Sequence, residues 1–288
     1  MIAVGQRLGA QRRLRFARSW SGRIGLALTV SVVAVAAFGP LFAPHAPTAL
    51  VGPAYAAPTG QFPLGTDELG RDVLSRVLDG GRSVIGYALL ATALAYVVGA
   101  GIGLVAGYTR SLADPALMRL MDVLLAFPPF LLLLVLTTGF GSSPAVLVLG
   151  VMSIHVPGIA RIIRAATIET RGRGYVEAAA ARGESRRAIL LREILPNITG
   201  TVVADAAPRL TVSILLVASL NFLGLGVQPP NADWALMISE NRPGMTIQPW
   251  CVAVPALLII GLTVGVNLLA DAVARARGTS IDEELVRR

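Results

Sequence analysis

The sequence predicts an all-α integral membrane protein with six transmembrane helices. Two observations carry this. The 288 residues are 54% hydrophobic and only 15% charged, where soluble domains carry about 25% charged residues. Uncharged apolar runs long enough to cross a bilayer then recur along the chain. A third observation orients them. All 25 basic residues are arginine, and they cluster beside the apolar runs, as the positive-inside rule describes. The net charge of +8 is explained by membrane orientation and not by nucleic-acid binding.

Residues 1–23 form a polar tail with Arg7, Arg12, Arg13, Arg15, Arg18 and Arg23. Residues 24–43 are an uncharged first span, about 30 Å long at 1.5 Å per residue. A signal peptide also begins with a basic region, but its apolar core is shorter. Residues 44–83 form an extracytoplasmic loop rich in Pro, Ala and Gly. It ends in an amphipathic helix over residues 66–79, with Val73, Leu74, Val77 and Leu78 as its stripe. Arg71, Asp72, Arg76 and Asp79 lie off that stripe, and Thr66 or Asp67 suits its N-cap. The acidic group Asp67, Glu68 and Asp72 lacks the ligand spacing of a calcium loop, so a capped interfacial helix is the simpler reading.

Residues 84–271 hold five further spans. The second span of the chain, over 84–108, repeats glycine at Gly99, Gly103 and Gly107, a ridge on which another helix can approach closely. Residues 110–119 read as a polar link. A third span over 123–140 contains Pro128 and Pro129, which kink or break it. The fourth, over 144–160, ends near His155 and Pro157. His155 is read either as a substrate contact or as a satisfied histidine near the interface. The fifth, over 204–227, carries Asp205 and Arg209 four residues apart, a pair that neutralises itself. After a loop with Trp234, the sixth runs over 251–270, with Gly261 and Gly265 as a second small-residue pair. Residues 272–288 are a charged tail. Six spans put both termini on one side, and the arginine distribution makes that side the cytoplasm.

The most charged long segment is 175–197, YVEAAAARGESRRAILLREILPN. Its alanines favour helix, Gly183 interrupts it, and Ser185 suits the N-cap of a second helix. Pro196 interrupts the pattern before the fifth span. This reads as two short helices outside the bilayer.

Several chemistries are excluded or unsupported. A phosphate-binding Walker A loop needs a lysine, and the chain has none. The chain is therefore read as non-catalytic, with no cofactor of its own. Cys251 is the single cysteine, so no intrachain disulfide forms. His45 and His155 are the only histidines, and no zinc-ligand pattern is present. A secondary transporter would show a buried carboxylate pair beside its broken helix.

Glu177, Ala178 and Ala179, then Gly183, then Ile194, Leu195 and Pro196 together resemble the cytoplasmic EAA loop of bacterial ABC importer permeases. The block Phe62 to Arg76, FPLGTDELGRDVLSR, and the block Asn221 to Pro230, NFLGLGVQPP, are similar to the peptide and nickel branch of that family. The likeness extends over roughly residues 20–275. It implies a type I permease fold in the bacterial cytoplasmic membrane. It further implies a homologous second permease subunit, two ATPase subunits or a fused pair that bind ATP and Mg, and an extracytoplasmic solute-binding protein. Glu177 to Ala181 would dock in an ATPase cleft, Gly183 would make the turn, and Ile194, Leu195 and Pro196 would join the loop to the fifth span. Arg182 departs from the apolar residue often found there. The cargo implied is a di- or oligopeptide. Nickel complexes and glutathione-like solutes are the alternatives within the branch.

Overall fold

The computed structural model describes residues 20–109 and 113–286. The tail arginines before residue 20, Arg110 in the link and the last two arginines lie outside the described residues. Among the described residues ten helices follow one another, short 3-10 turns aside: α1 (Trp20–Phe38), α2 (Val73–Asp79), α3 (Gly81–Thr109), α4 (Ala113–Ala126), α5 (Pro129–Phe140), α6 (Pro144–Arg171), α7 (Gly174–Ala181), α8 (Arg186–Phe222), α9 (Trp234–Asn241) and α10 (Trp250–Val286). Five segments are long and apolar enough to cross a membrane, and the bent pair α4 and α5 makes a sixth if it counts as one span. Their outward faces are apolar, as at Val97, Phe140 and Leu257, because the solvent there is lipid.

The chain divides into two compact units: residues 1–85 with 210–288, and residues 86–209. In the first, α1 packs along α10. A Cβ on Gly25 would fall 2.8 Å from the Leu268 Cβ, and one on Gly265 would fall 2.9 Å from the Thr29 nitrogen. Such contacts replace the hydrophobic driving force that lipid does not supply between helices.

The loop helix of this unit differs from the expected amphipathic one. Helix begins only at Val73, and the N-cap is Asp72, whose side chain accepts from the Ser75 N–H. The preceding residues are held instead by single bridges, Leu50 with Arg71 and Thr66 with Asp72. Both faces are covered, because Arg71, Asp72 and Arg76 are as buried as Val73 and Val77. Burial of these charges is offset by pairing. Asp67 accepts from Arg71 Nε at 2.6 Å and pairs with Arg76 at 3.3 Å, while Glu240 at the end of α9 takes Arg71 at 3.1 Å and Arg76 at 2.8 Å. Trp234, fully buried, donates Nε1–H to the Val77 carbonyl at 2.8 Å. Asp233 caps α9 and also accepts from Ser83 and Asn221. These bonds tie the loop to α9 and to the start of α3.

Within the second unit α3 lies against α6. A Cβ on Gly99 would sit 2.9 Å from the Ile159 Cβ, one on Gly103 would sit 2.6 Å from the Ala160 carbonyl, and one on Gly107 would sit 2.7 Å from the Thr167 Cβ. The glycines therefore let the backbones meet. The chain breaks at Pro128, and α4 and α5 meet at 88°. The link expected at 110–119 is already helical from Ala113, since Asp114 is held by both Arg164 Nε and Nη2 at 2.6 Å. Arg161 reaches Asp122 through Nη2 alone. These pairs explain why α6 continues to Arg171, well past the end expected at residue 160. Likewise Pro196 does not stop α8, which runs through it.

Two outcomes follow. Gly103→Leu drives a side chain into the Ala160 carbonyl, and overpacking of this kind costs about 1–3 kcal/mol. Thermal unfolding of the purified protein should shift to lower temperature, and an unchanged midpoint would remove the ridge from the packing. Separately, burial and the nearby Glu240 carboxylate raise the Glu68 carboxyl above its ordinary range. A raised folded-state value favours the protonated form, so its contribution is present at acid pH and is lost as pH rises through that value. Glu68→Gln should therefore raise the unfolding temperature at pH 7, with the gain shrinking as pH falls toward 4. A gain that grows on acidification would refute the assignment.

Candidate coupling site

The segment 175–197 folds as two helical pieces around a glycine. Helix α7 buries Val176 and Ala179, three residues apart on one face, and leaves Glu177 and Ala178 exposed. The buried pair joins a core containing Ile163 from α6, Leu104 from α3, and Ile189, Ile194 and Ile198 from α8. The loop helix is thus fastened to the membrane helices by its own apolar face.

Its end is a Schellman motif. The Glu184 N–H reaches the Ala179 carbonyl at 3.3 Å and the Gly183 N–H reaches Ala180 at 3.0 Å, the two bonds that define this cap. Gly183 takes φ +77°, a left-handed conformation that glycine adopts without steric cost. Arg182 pairs with Glu184 across the turn at 2.6 Å. Ser185 then caps α8 through the Ala188 N–H at 3.3 Å.

A π segment follows at Ile189–Ile194, and the Leu195 N–H reaches back to the Leu190 carbonyl. One residue is thereby inserted into the helical turn, a feature frequent at functional sites. Ile194 is fully buried, Leu195 half-buried and Pro196 exposed. Nothing in the residue types of this stretch announces the π turn.

Beside α7 lies a cavity of about 320 Å³, bounded by Tyr108, Ile168, Arg171, Val176 and Glu177 among others. Arg171 donates Nη1–H to the Tyr108 carbonyl at 2.7 Å and stands 5.5 Å from the centre of its ring. That bond fixes the end of α6 against the end of α3. The Glu177 carboxylate makes no hydrogen bond or ion pair with any described residue. The arrangement is a rigid, capped helix that presents an unpaired carboxylate on a surface anchored to two membrane helices. It holds no set of side chains suited to bond making. Among the described residues no group of three or more His, Cys, Asp or Glu stands ready to hold a metal.

Other residues singled out in the sequence fall elsewhere. Gly99, Gly103 and Gly107 lie on the α3–α6 contact, and only Gly107 borders the cavity. His155 is buried at 4% exposure. Asp205 and Arg209 pair as their spacing suggests, but Tyr96 joins them, donating to Asp205 at 2.7 Å. A tyrosine in an otherwise uncharged span was the available signal for that contact.

Known proteins are similar to this chain in sequence and in fold. Residues 99–278 match the family described as the binding-protein-dependent transport system inner membrane component. A glutathione transport system permease protein, GsiD of Pectobacterium atrosepticum, is 37% identical over 76% of this chain and 73% of its own length. The di/tripeptide transport system permease protein DppC of Pseudomonas aeruginosa is 33% identical over 91% of this chain and 88% of its own. The dipeptide permease DppC of Haemophilus influenzae is 31% identical over 91% of both. Among solved structures, an inward-facing MetNI methionine ABC transporter chain superposes with a TM-score of 0.55, covering 71% of this chain and 95% of that one at 17% identity. At that identity the likeness bears on the fold, which is that of a type I ABC importer permease. With the family matched over most of the chain and relatives matched nearly end to end, this protein belongs to the binding-protein-dependent transport system inner membrane components, as a multi-pass permease subunit of an ABC importer.

Proposed function

We propose that the chain forms half of the translocation pore of an ATP-driven importer of di- and oligopeptides. Permeases of this family work with ATPase and binding-protein partners in general. The specific assembly proposed is a second, homologous permease subunit, two ATPase subunits or a fused pair, and an extracytoplasmic peptide-binding protein. ATP and Mg belong to the ATPase subunits. The peptide cargo is supported by the dipeptide and di/tripeptide permeases that match nearly the whole chain. The glutathione permeases among the relatives favour a second reading of the same class, since glutathione is itself a small peptide.

One observation carries the coupling role. Glu177 is exposed and unpaired on a helix whose other face is locked into the core of α3, α6 and α8. A partner that grips this helix moves the membrane helices with it. Closing of an ATPase dimer would then favour one arrangement of the spans through its differential fit to that state. The negative charge at the first turn also suits the helix dipole.

Glu177→Arg reverses that charge, and Gly183→Val places a β-branched residue at φ +77°, where it is strained. The flanking spans do not depend on either side chain, so both variants should reach the membrane at near-normal levels. Both should lose ATP-driven peptide uptake by about tenfold or more, the scale of a lost charged contact. ATPase activity should cease to respond to loaded binding protein. Full uptake at matched protein levels would remove this segment from the coupling path.

The arginine asymmetry supports an orientation with both termini and the 175–197 segment in the cytoplasm. Single cysteines at the exposed positions Ala54 and Asn231 should label from outside sealed cells, and one at Ser185 should not. The native Cys251 is buried, so background is low. Outside labelling at Ser185 would invert the scheme.

A further inference from the structure

A second polar group stands far from the coupling segment. Tyr96, Asp205 and Arg209 meet where α3, α6 and α8 run side by side. Tyr96 Oη–H donates to Asp205 Oδ2 at 2.7 Å, and Arg209 Nε–H donates to the same oxygen at 2.5 Å. His155 on α6 is buried and lies within electrostatic reach of both charges. Tyr96 is the midpoint of the span read over residues 84–108, and its bond brings Asp205 to the same level. Halfway along a span is the depth of the hydrocarbon. Ionisable side chains are rare there and face bundle interiors or water-filled cavities.

Three features separate this group from a simple self-neutralising pair. The first is the backbone. Pro157 follows His155 by two residues and Pro208 immediately precedes Arg209, each inside its helix. A proline has no N–H, so the carbonyls of Ser153 and Ala204 lose their ladder donors. Both helices run on through their prolines, and the two carbonyls are left as acceptors. The second is space. A Cβ on Gly158 would stand 3.0 Å from both Nη atoms of Arg209, so the guanidinium lies close against the α6 backbone at this glycine. The third is unused capacity. Asp205 and Arg209 keep 20% and 16% side-chain exposure. Both bonds to Asp205 fall on Oδ2, and Oδ1 accepts none from a described residue. An i,i+4 pair on one helix neutralises itself without help. It requires no tyrosine from a second helix, and no glycine or histidine from a third.

We propose that this cluster is a mid-membrane station for the two charged ends of a zwitterionic cargo. The Arg209 guanidinium takes the carboxylate, the Asp205 carboxylate takes the ammonium, and the freed carbonyls of Ser153 and Ala204 add acceptors for it. While empty, the internal pair keeps the site neutral. A cargo carrying one charge of each sign exchanges with that pair and leaves the net charge unchanged, so no uncompensated charge is buried. The proposal deepens the peptide reading and rests on it.

The test uses the complete complex of permease and ATPase subunits in lipid nanodiscs, without binding protein. A labelled dipeptide, its N-acetyl derivative and its C-terminal amide are titrated to millimolar concentrations. The wild-type complex should favour the free dipeptide over each blocked form by about tenfold, the scale of one charged hydrogen bond. Arg209→Gln should erase the discrimination against the amide and keep that against the acetyl form. Asp205→Asn should do the reverse. Tyr96→Phe, which removes a hydrogen bond but no charge, should keep both. A merely structural pair would alter stability and leave both ratios as they were. The station is overturned if the wild type binds no dipeptide, if it binds blocked and free forms alike, or if the variants preserve both ratios. The wild-type titration alone suffices for this if a charge variant fails to assemble. Uptake into proteoliposomes with loaded binding protein, run in parallel, separates the two readings. Uptake without discrimination at the permease overturns the station alone, and absence of uptake overturns the peptide reading.

Discussion

Hydrocarbon offers no hydrogen bond to a backbone group that has lost its partner, and the architecture follows from that constraint. Irregular backbone is concentrated where side chains and neighbouring chain satisfy it. Outside the spans, the buried stretch before α2 meets the same demand inside the protein and is threaded with such bonds. The Thr66 hydroxyl donates to the Pro53 carbonyl at 2.5 Å and accepts from the Ala56 N–H at 2.8 Å, and the Gln248 side chain donates to the carbonyls of Ala56 and Leu64. The buried charges of Asp67, Arg71, Arg76 and Glu240 are paired in the same region. Where the backbone breaks between α4 and α5, α4 is held from outside by Asp114–Arg164 and Asp122–Arg161.

The same constraint decides how force can pass along the second unit. Without a hydrophobic drive between helices, close backbone contact must supply the cohesion. The three glycines of α3 provide it along α6. Arg171, at the last turn of α6, then clamps the end of α3 through the Tyr108 carbonyl. The next helix in sequence is α7, whose apolar face joins the same core. A displacement of α7 is therefore a displacement of a packed block, since close-packed cores transmit strain and do not absorb it.

Much of this was legible in the sequence because its causes are local. Gly183 and Ser185 carry their cap and turn roles in their own chemistry, and both take those roles. The Asp205–Arg209 pair and the break at Pro128 are set by spacing and by proline. Boundaries were misread where a charge was taken as the end of a span. Arg161 and Arg164 lie inside α6 because acidic residues on α4 neutralise them, and that partnership crosses tens of residues. Arg76 and Glu240 are 164 residues apart, so the burial of residues 71–76 could not be read from their amphipathic pattern. The segment 175–197 stood out by its motif, but its π turn has no signature in residue type.

The π turn bears on how the coupling segment joins its span. A continuous α-helix from Ser185 to Phe222 would fix the faces of both ends by a single 3.6-residue period. The inserted residue at Ile189–Ile194 shifts that register. Ile189 and Ile194, five apart, are consequently both buried, and Ile198 follows at the ordinary spacing of four. With α-helical register throughout, residues five apart would be rotated by about 140°, and one of the two isoleucines would leave the core. The π turn thus keeps the loop end and the membrane end of α8 on one apolar face, while Arg186, Arg187 and Arg192 stay exposed. Seating α7 on the core and continuing α8 into the membrane are compatible because of that one extra residue.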